Sequence, residues 1–289
     1  INMQIIYALR MRHWSKNFLI FCPALAFGEY DIALILDLLI TFIGFSLVVS
    51  STYIVNDLID IESDKVHPKK KFRPIAAGYF TEKIWIKIAL SIFLIGNITL
   101  LSINGVLIIF SLIYCVVTIA YSTVFKFKKF FDLFTISTLF LLRILVGAIP
   151  FNINITIELF IFVFFTSTGI VSSKKYSILK DTRIDNTKIK NFLASQYVGK
   201  ELLQLVNFSF FISLMTYTIW IFNNKFGSVE NSSLIFLVLS LGFLTYFKYL
   251  FVKETYRNTT EDIFHTVLKN KNLLISIGMF SLFSIIGLL

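Results

Sequence analysis

Charge is scarce in this 289-residue chain. Asp, Glu, Lys and Arg make up 15% of it, against about 25% in soluble domains. Cysteine is scarcer. Cys22 and Cys115 are the only two and both lie in apolar runs, so neither a disulfide framework nor a Cys/His zinc site is indicated. Of the three histidines, His265 sits beside Glu261 and Asp262 in a polar loop, the setting of a solvated side chain, and is assigned no role. No G-x-S-x-G, Walker loop, G-x-G-x-x-G or H-E-x-x-H occurs, which removes the hydrolase, nucleotide-binding and zinc-protease signatures. Low-complexity segments, sequence repeats and a soluble domain are also lacking.

What is present is hydrocarbon. The chain is 56% hydrophobic with 33 Phe and a mean hydropathy of +0.79. Its apolar runs, read at roughly 17–25 residues per bilayer crossing, predict nine spans: 17–36, 38–55, 84–101, 104–121, 131–150, 156–173, 202–222, 233–252 and 272–289. An all-α integral membrane protein follows, one domain over 1–289, with the helical hairpin as its unit. Pro23 and Gly28 predict a kinked or tilted first span. Arg10–Lys16 followed by Phe18–Phe27 also has the outline of a cleaved leader, but the reading adopted is a membrane span.

The formal charge of +10 raises nucleic acid as a partner, and its distribution answers the point. Three Lys or Arg precede the first span, and six, three, seven and four occupy the long loops after spans 2, 4, 6 and 8. The opposite side has Lys225 alone, among Glu29, Asp31, Asp37, Glu158 and Glu230. The positive-inside rule then puts the N-terminus and the long loops in the cytoplasm of a cell-membrane protein, with no nucleic-acid role.

The stretch Asn56–Gly78, NDLIDIESDKVHPKKKFRPIAAG, organises the rest. On a helix Asp57, Asp60 and Asp64 follow i, i+3, i+7 and share a face. Three carboxylates so close repel one another unless a cation lies between them, and Mg²⁺ shared with phosphate oxygens is the usual answer. Lys69, Lys70, Lys71 and Arg73 follow, a set suited to an anionic substrate. The plainer alternative is a solvated loop. Elsewhere, Tyr121, Ser122 and Lys126 precede Asp132 at the start of span 5. Arg143 lies about three turns into that span, where a charge marks either a site or a structural ion pair. It is read as the one deeply placed charge, which counts against a transporter or lipid carrier. Lys174, Lys175 and Tyr176 follow span 6. Asp181 and Asp185 form a weaker pair, either a second metal site or a turn neutralised by Arg183 and Lys188. Trp14, Lys16 and Asn17 suit an interfacial anchor.

These motifs together resemble the UbiA superfamily of intramembrane prenyltransferases, over nearly the whole chain. Asn56-Asp57-x-x-Asp60-x-x-x-Asp64 is similar to its first aspartate motif. A narrower resemblance is to the decaprenyl-phosphate phosphoribosyltransferase branch. It rests on His13-Trp14-x-Lys16-Asn17, on His67-Pro68-x-Lys70-x-x-Arg73-Pro74-Ile75-Ala76-Ala77-Gly78, on Tyr121-Ser122 with Lys126, Asp132 and Leu141-Leu142-Arg143, and on Lys174-Lys175-Tyr176. The chain departs from the branch after Tyr176, where Ser177-Ile178-Leu179 replaces Ala-Glu-Leu.

The resemblance implies a helical bundle with a cytoplasm-facing, laterally open cavity. It implies Mg²⁺-dependent transfer of 5-phosphoribose from phosphoribosyl pyrophosphate to a polyprenyl phosphate. Asp57, Asp60 and Asp64 are then the metal ligands, and Asp57, Asp60, Lys126 and Asp132 the catalytic set. Lys16, Asn17, Asn56, Lys70, Arg73, Tyr121, Arg143, Lys174, Lys175 and Tyr176 are the substrate-binding candidates. The alternative within the superfamily is transfer of a polyprenyl group from its pyrophosphate to an aromatic acceptor such as 4-hydroxybenzoate, which Asp181 and Asp185 keep open as a second acidic motif.

Overall fold

The structure is a computed structural model and describes residues 2–28, 31–66, 70–180, 188–225, 231–257 and 263–288. Its described residues are helical or irregular, without strands. In order come α1 (Asn2–Leu9), a 3₁₀ segment (Met11–Phe21), α2 (Cys22–Phe27), α3 (Ile32–Ile59), α4 (Ile61–Lys65), α5 (Glu82–Leu101), α6 (Val106–Thr123) and α7 (Phe131–Ala148). Then follow α8 (Ile157–Lys180), α9 (Lys188–Gln196), α10 (Gly199–Lys225), α11 (Asn231–Tyr256), α12 (Ile263–Lys269) and α13 (Lys271–Leu288).

Among the described residues seven helices are long and apolar enough to cross a membrane, where the hydropathy pattern predicts nine spans. The two differences lie at the ends. The expected first span is not one helix: Met11–Phe21 winds as 3₁₀ and only Cys22–Phe27 as α. The ninth is the apolar stretch Lys271–Gly287, shorter than the seven. Hydropathy counts apolar residues and is blind to the winding that carries them.

The chain packs as two compact units. The first comprises 1–25, 29–126 and 142–154, and the second 26–28, 127–141 and 155–289.

In the first unit α3 begins at Asp31, whose carboxylate accepts the Leu34 N–H at 3.2 Å, an ordinary N-cap. It crosses α5 closely, because a Cβ on Gly96 would stand 2.8 Å from the Gly44 carbonyl oxygen. Small residues at such crossings let backbones pack without a hydrophobic driving force in lipid. The 3₁₀ segment is seated the same way, since a Cβ on Gly147 of α7 would fall 1.8 Å from the Ile20 carbonyl oxygen. Ala8, Ile54, Ile75, Trp85 and Ala89 form a buried cluster at one end of the unit. On α5, Ile86, Leu90, Leu94 and Ile98 are exposed, as a lipid-facing surface requires.

The second unit is built on α8, α10, α11 and α13. Val206, Phe210, Leu250, Phe251 and Leu273 form one buried cluster and Tyr217, Trp220, Ile221, Leu237 and Leu244 another. Hydroxyl pairs tie its helices together: Ser137 with Thr168 at 2.8 Å, Ser173 with Thr255 at 2.7 Å and Tyr217 with Ser240 at 2.7 Å. Each such bond contributes about 0.6 kcal/mol in a membrane bundle.

Candidate functional site

The acidic stretch lies where α3 stops. Asp57 is in its last turn and 4% exposed. Asp60 leaves the helix at φ −92°, ψ 7°, and α4 restarts the chain with Asp64 on it. The expectation of three carboxylates on one helical face therefore needs correction, because the helix breaks at the middle one.

Asp57 and Asp64 converge on Arg73. Its Nη1 lies 3.1 Å from Asp57 Oδ1 and 2.6 Å from Asp64 Oδ2. Arg10 also donates to Asp57 Oδ1, and Lys70 Nζ stands 3.5 Å from Asp64 Oδ1. Asp60 pairs instead with Lys126 at 2.6 Å, and Ser122 donates to the Asn56 side-chain carbonyl. Arg73 is carried there because Ile75, two residues on, is buried against Ile54 and Trp85. The carboxylates are thus neutralised by the chain's own cations. Among the described residues no group of three or more Asp, Glu, His or Cys side chains is gathered closely enough for a metal ion.

Deeper in the same unit, Arg143 on α7 is 3% exposed. Its Nε donates to Asn17 Oδ1 at 2.8 Å and its Nη2 to the Tyr114 hydroxyl at 2.9 Å, with the guanidinium 5.1 Å from the Tyr114 ring centroid. Asn17 in turn donates to Ser46 at 2.8 Å, and Trp14 to Ser50 at 3.0 Å. Lys16 is open to solvent yet crowded by protein, as a side chain lining a concavity is. Burial brings its pKa down to about 8, and the charges of Arg143 and Arg10 add to the effect. Beside the last turns of α3 lies an apolar cavity of about 540 Å³, lined by Val55, Leu58, Ile59, Leu90 and Phe93 among others. It offers hydrocarbon contact and no charge.

The second unit holds Asp132 and Lys175. Asp132, 1% exposed, pairs with Lys175 through Oδ2 and accepts the Tyr197 hydroxyl on Oδ1. The Tyr197 oxygen also accepts the Phe130 N–H at 2.8 Å, and its ring lies 4.8 Å below the Lys175 ammonium. Tyr176 is partly buried and packs against the cluster of Leu133, Val171, Tyr197 and Leu202. Lys174 is exposed on α8, and Tyr121 is half-buried on α6. Asp181 and Asp185, with His67 and Pro68, lie outside the described residues.

The expectation that Arg143 is the one deep charge is also corrected. Lys248 on α11 is 3% exposed, and its ammonium contacts Ser213 Oγ, the Phe210 carbonyl and the rings of Phe162 and Phe210. Three further residues escaped sequence reasoning. Arg10 reads as one more topology charge, and nothing in the spacing of Tyr114 or Tyr197 points to the groups they hold.

Over residues 17–273 the sequence matches the UbiA prenyltransferase family. The chain belongs to that family. Among curated relatives of this UbiA chain, the decaprenyl-phosphate phosphoribosyltransferase of Mycolicibacterium smegmatis is 31% identical over 76% of this chain and 70% of its own length. The protein of the same name from Mycobacterium tuberculosis is 28% identical over 75% of this chain and 74% of its own. UbiA structures share the fold. A structure of digeranylgeranylglyceryl phosphate synthase has a TM-score of 0.68 at 18% identity, over 99% of this chain and 98% of that one. A UbiA homolog from Archaeoglobus fulgidus bound to GPP and Mg²⁺ gives 0.64 at 13% identity, over 98% of both chains. The chain is a multi-pass membrane transferase, as its motifs led us to expect.

Proposed function

We propose that this UbiA-family transferase moves 5-phosphoribose from phosphoribosyl pyrophosphate to the phosphate of a decaprenyl-type polyprenyl phosphate, releasing pyrophosphate. The observation that carries the reading is the interleaving of Asp57 and Asp64 with Arg10, Arg73 and Lys70, in a chain whose relatives bear that name. Acids and bases set side by side suit a donor that brings a cation and a diphosphate together.

The residues present fit Mg²⁺. Asp57, Asp60 and Asp64 offer hard carboxylate oxygens, and among the described residues Asp64 Oδ1 is buried without a hydrogen bond, the Lys70 ammonium standing 3.5 Å away. Asp57 and Asp64 reach one common atom, which matches the habit of Mg²⁺ to take one or two carboxylates and complete its shell with substrate phosphates and water. When bound, the metal supplies positive charge to the departing diphosphate. Arg73 and Lys70 are the fixed cations for the same oxygens, and the planar guanidinium can hold phosphate bidentately.

Ribose C1 passes through an oxocarbenium-like state, as in glycosidic cleavage. The acceptor phosphate is already an anion and needs no general base, in keeping with a cluster made of carboxylates, amines and guanidinia. Lys16, with its lowered pKa, and Lys126 are the cations that the first unit offers to the remaining phosphates. Asn17 and Tyr121 complete this set, and Asn56 is held ready by Ser122. Arg143 fixes Asn17. Asp132 and Tyr197 hold Lys175. We further propose nine crossings, the last being α13 and the first starting at Asn17 behind Trp14 and Lys16 at headgroup level, with the N-terminus and long loops cytoplasmic as their basic residues direct.

The test is transfer of label. Membranes containing the protein are incubated with Mg²⁺, polyprenyl phosphate and phosphoribosyl pyrophosphate labelled in the ribose, and the label is expected in the lipid phase. No label, with prenylation of 4-hydroxybenzoate from polyprenyl pyrophosphate, selects prenyl transfer instead.

A further inference from the structure

The cations around Asp57 and Asp64 do more than offer themselves to a substrate. Arg73 Nη1 bridges the two carboxylates at 3.1 and 2.6 Å, the position a shared cation takes. Arg10 adds a second guanidinium on Asp57, and Lys70 lies 3.5 Å from Asp64. Two buried acids thus face three bases, and each carboxylate charge is matched without any ligand.

A divalent cation arriving alone meets carboxylates already committed and positive charges beside them. A diphosphate arriving alone meets cations already committed to carboxylates. When both arrive, each finds a partner: the acids take the metal, and the guanidinia and the ammonium turn to the phosphate oxygens. No charge is left unmatched by the exchange.

We infer that Arg10 and Arg73 hold the place of the metal, so that the divalent cation and the diphosphate bind to this chain together and each binds poorly alone. Such coupling is reciprocal, the metal raising diphosphate affinity by the factor by which the diphosphate raises metal affinity. The inference rests on the metal–diphosphate reading of the site and goes beyond it by assigning the coupling between the two ligands. It gives Arg10, one of the basic residues ahead of the first span, a part in that coupling.

The test uses the full chain in detergent. Mn²⁺ binding is titrated by electron paramagnetic resonance without diphosphate, for the wild type, Arg73→Gln, Arg10→Gln and Arg73→Gln/Asp64→Asn. Thermal midpoints are recorded with Mg²⁺, with pyrophosphate, and with both. The expected result is weak Mn²⁺ binding to the wild type, tightened about tenfold in either single arginine variant and reversed in the double variant. The wild-type midpoint is expected to rise with both ligands and not with Mg²⁺ alone. Mn²⁺ binding equally tight in the wild type and the arginine variants, or a full rise with Mg²⁺ alone or with pyrophosphate alone, overturns the inference and leaves the metal–diphosphate site standing. No rise under any combination removes that site and the inference with it. The wild-type midpoints decide the matter even if neither arginine variant folds.

Discussion

Asp57 and Asp64 share one nitrogen of Arg73, although they stand seven positions apart with a helix break between them. Neither carboxylate can be altered without disturbing the guanidinium the other uses. Asp57→Asn and Asp64→Asn are each expected to lower phosphoribosyl transfer by at least ~10²-fold, the usual consequence of losing one preorganised charge at a reacting centre. Asp60→Asn releases Lys126 alone and leaves the Arg73 bridge in place. Its loss of thermal stability is expected to be the smallest of the three, so thermal midpoints measured beside initial rates check the ordering. Equal midpoints for all three variants would contradict the bridge.

Arg143 is predicted to act as a unit with Asn17. Removing the guanidinium strands the buried Asn17 carbonyl and the Tyr114 hydroxyl, at about 1–3 kcal/mol for each unsatisfied group. Lysine is no remedy, because one ammonium cannot reproduce the two directed bonds and the stacking on Tyr114. In a double-mutant cycle, Arg143→Ala and Asn17→Ala are expected to couple by about 0.5–3 kcal/mol, as contacting residues do. Additive losses in unfolding free energy would show that the 2.8 Å bond contributes nothing.

Lys16 gives the site a pH dependence. Its pKa in the folded chain is about 8 against an ordinary 10.5, so it is charged below about pH 8 and neutral above. Loss of the charge weakens an anion site, and KM for phosphoribosyl pyrophosphate is expected to rise about tenfold between about pH 7 and about pH 9.5, the worth of a charge-assisted hydrogen bond. Stability runs the other way for this group. Between about pH 8 and about pH 10.5 the unfolded chain holds more protons than the folded one, so folding gains with pH, and unfolding at this residue does not explain the weaker binding. Arginine stays charged over this range, so Lys16→Arg is expected to flatten the KM profile. An unchanged profile in that variant would rule Lys16 out.

The family and most of the residues with charge partners were legible in the sequence, for a physical reason. Hydrocarbon makes ionisable side chains conspicuous, so Asp57, Asp60, Asp64, Arg73, Lys126, Asp132 and Arg143 stand out from their surroundings, although Lys248 does not. Their partners were less legible. Arg10 lies 47 residues from Asp57 and looks like any basic residue before a span. Tyr197 lies 65 residues from Asp132 and looks like any aromatic near a headgroup region. A one-dimensional pattern also says nothing about winding, so the 3₁₀ segment Met11–Phe21 read as the start of a span, and the break at Asp60 read as continuous helix.

Lys248 provides the contrary case, a deep charge predicted to be dispensable. Among the described residues its ammonium is buried with a hydroxyl, a carbonyl and two aromatic faces, and its contacts include no carboxylate. Desolvating a charge costs more than such neutral partners return, and well-packed apolar residues often replace buried ions with a gain in stability. Methionine has nearly the same length and fills irregular gaps. The partner left behind is not orphaned, because the Ser213 hydroxyl also donates to the Phe210 carbonyl at 3.2 Å. Lys248→Met is therefore expected to keep transferase activity within about twofold and to raise the unfolding free energy by on the order of 1 kcal/mol. A large loss of activity at unchanged thermal midpoint would instead make the ammonium part of the reaction.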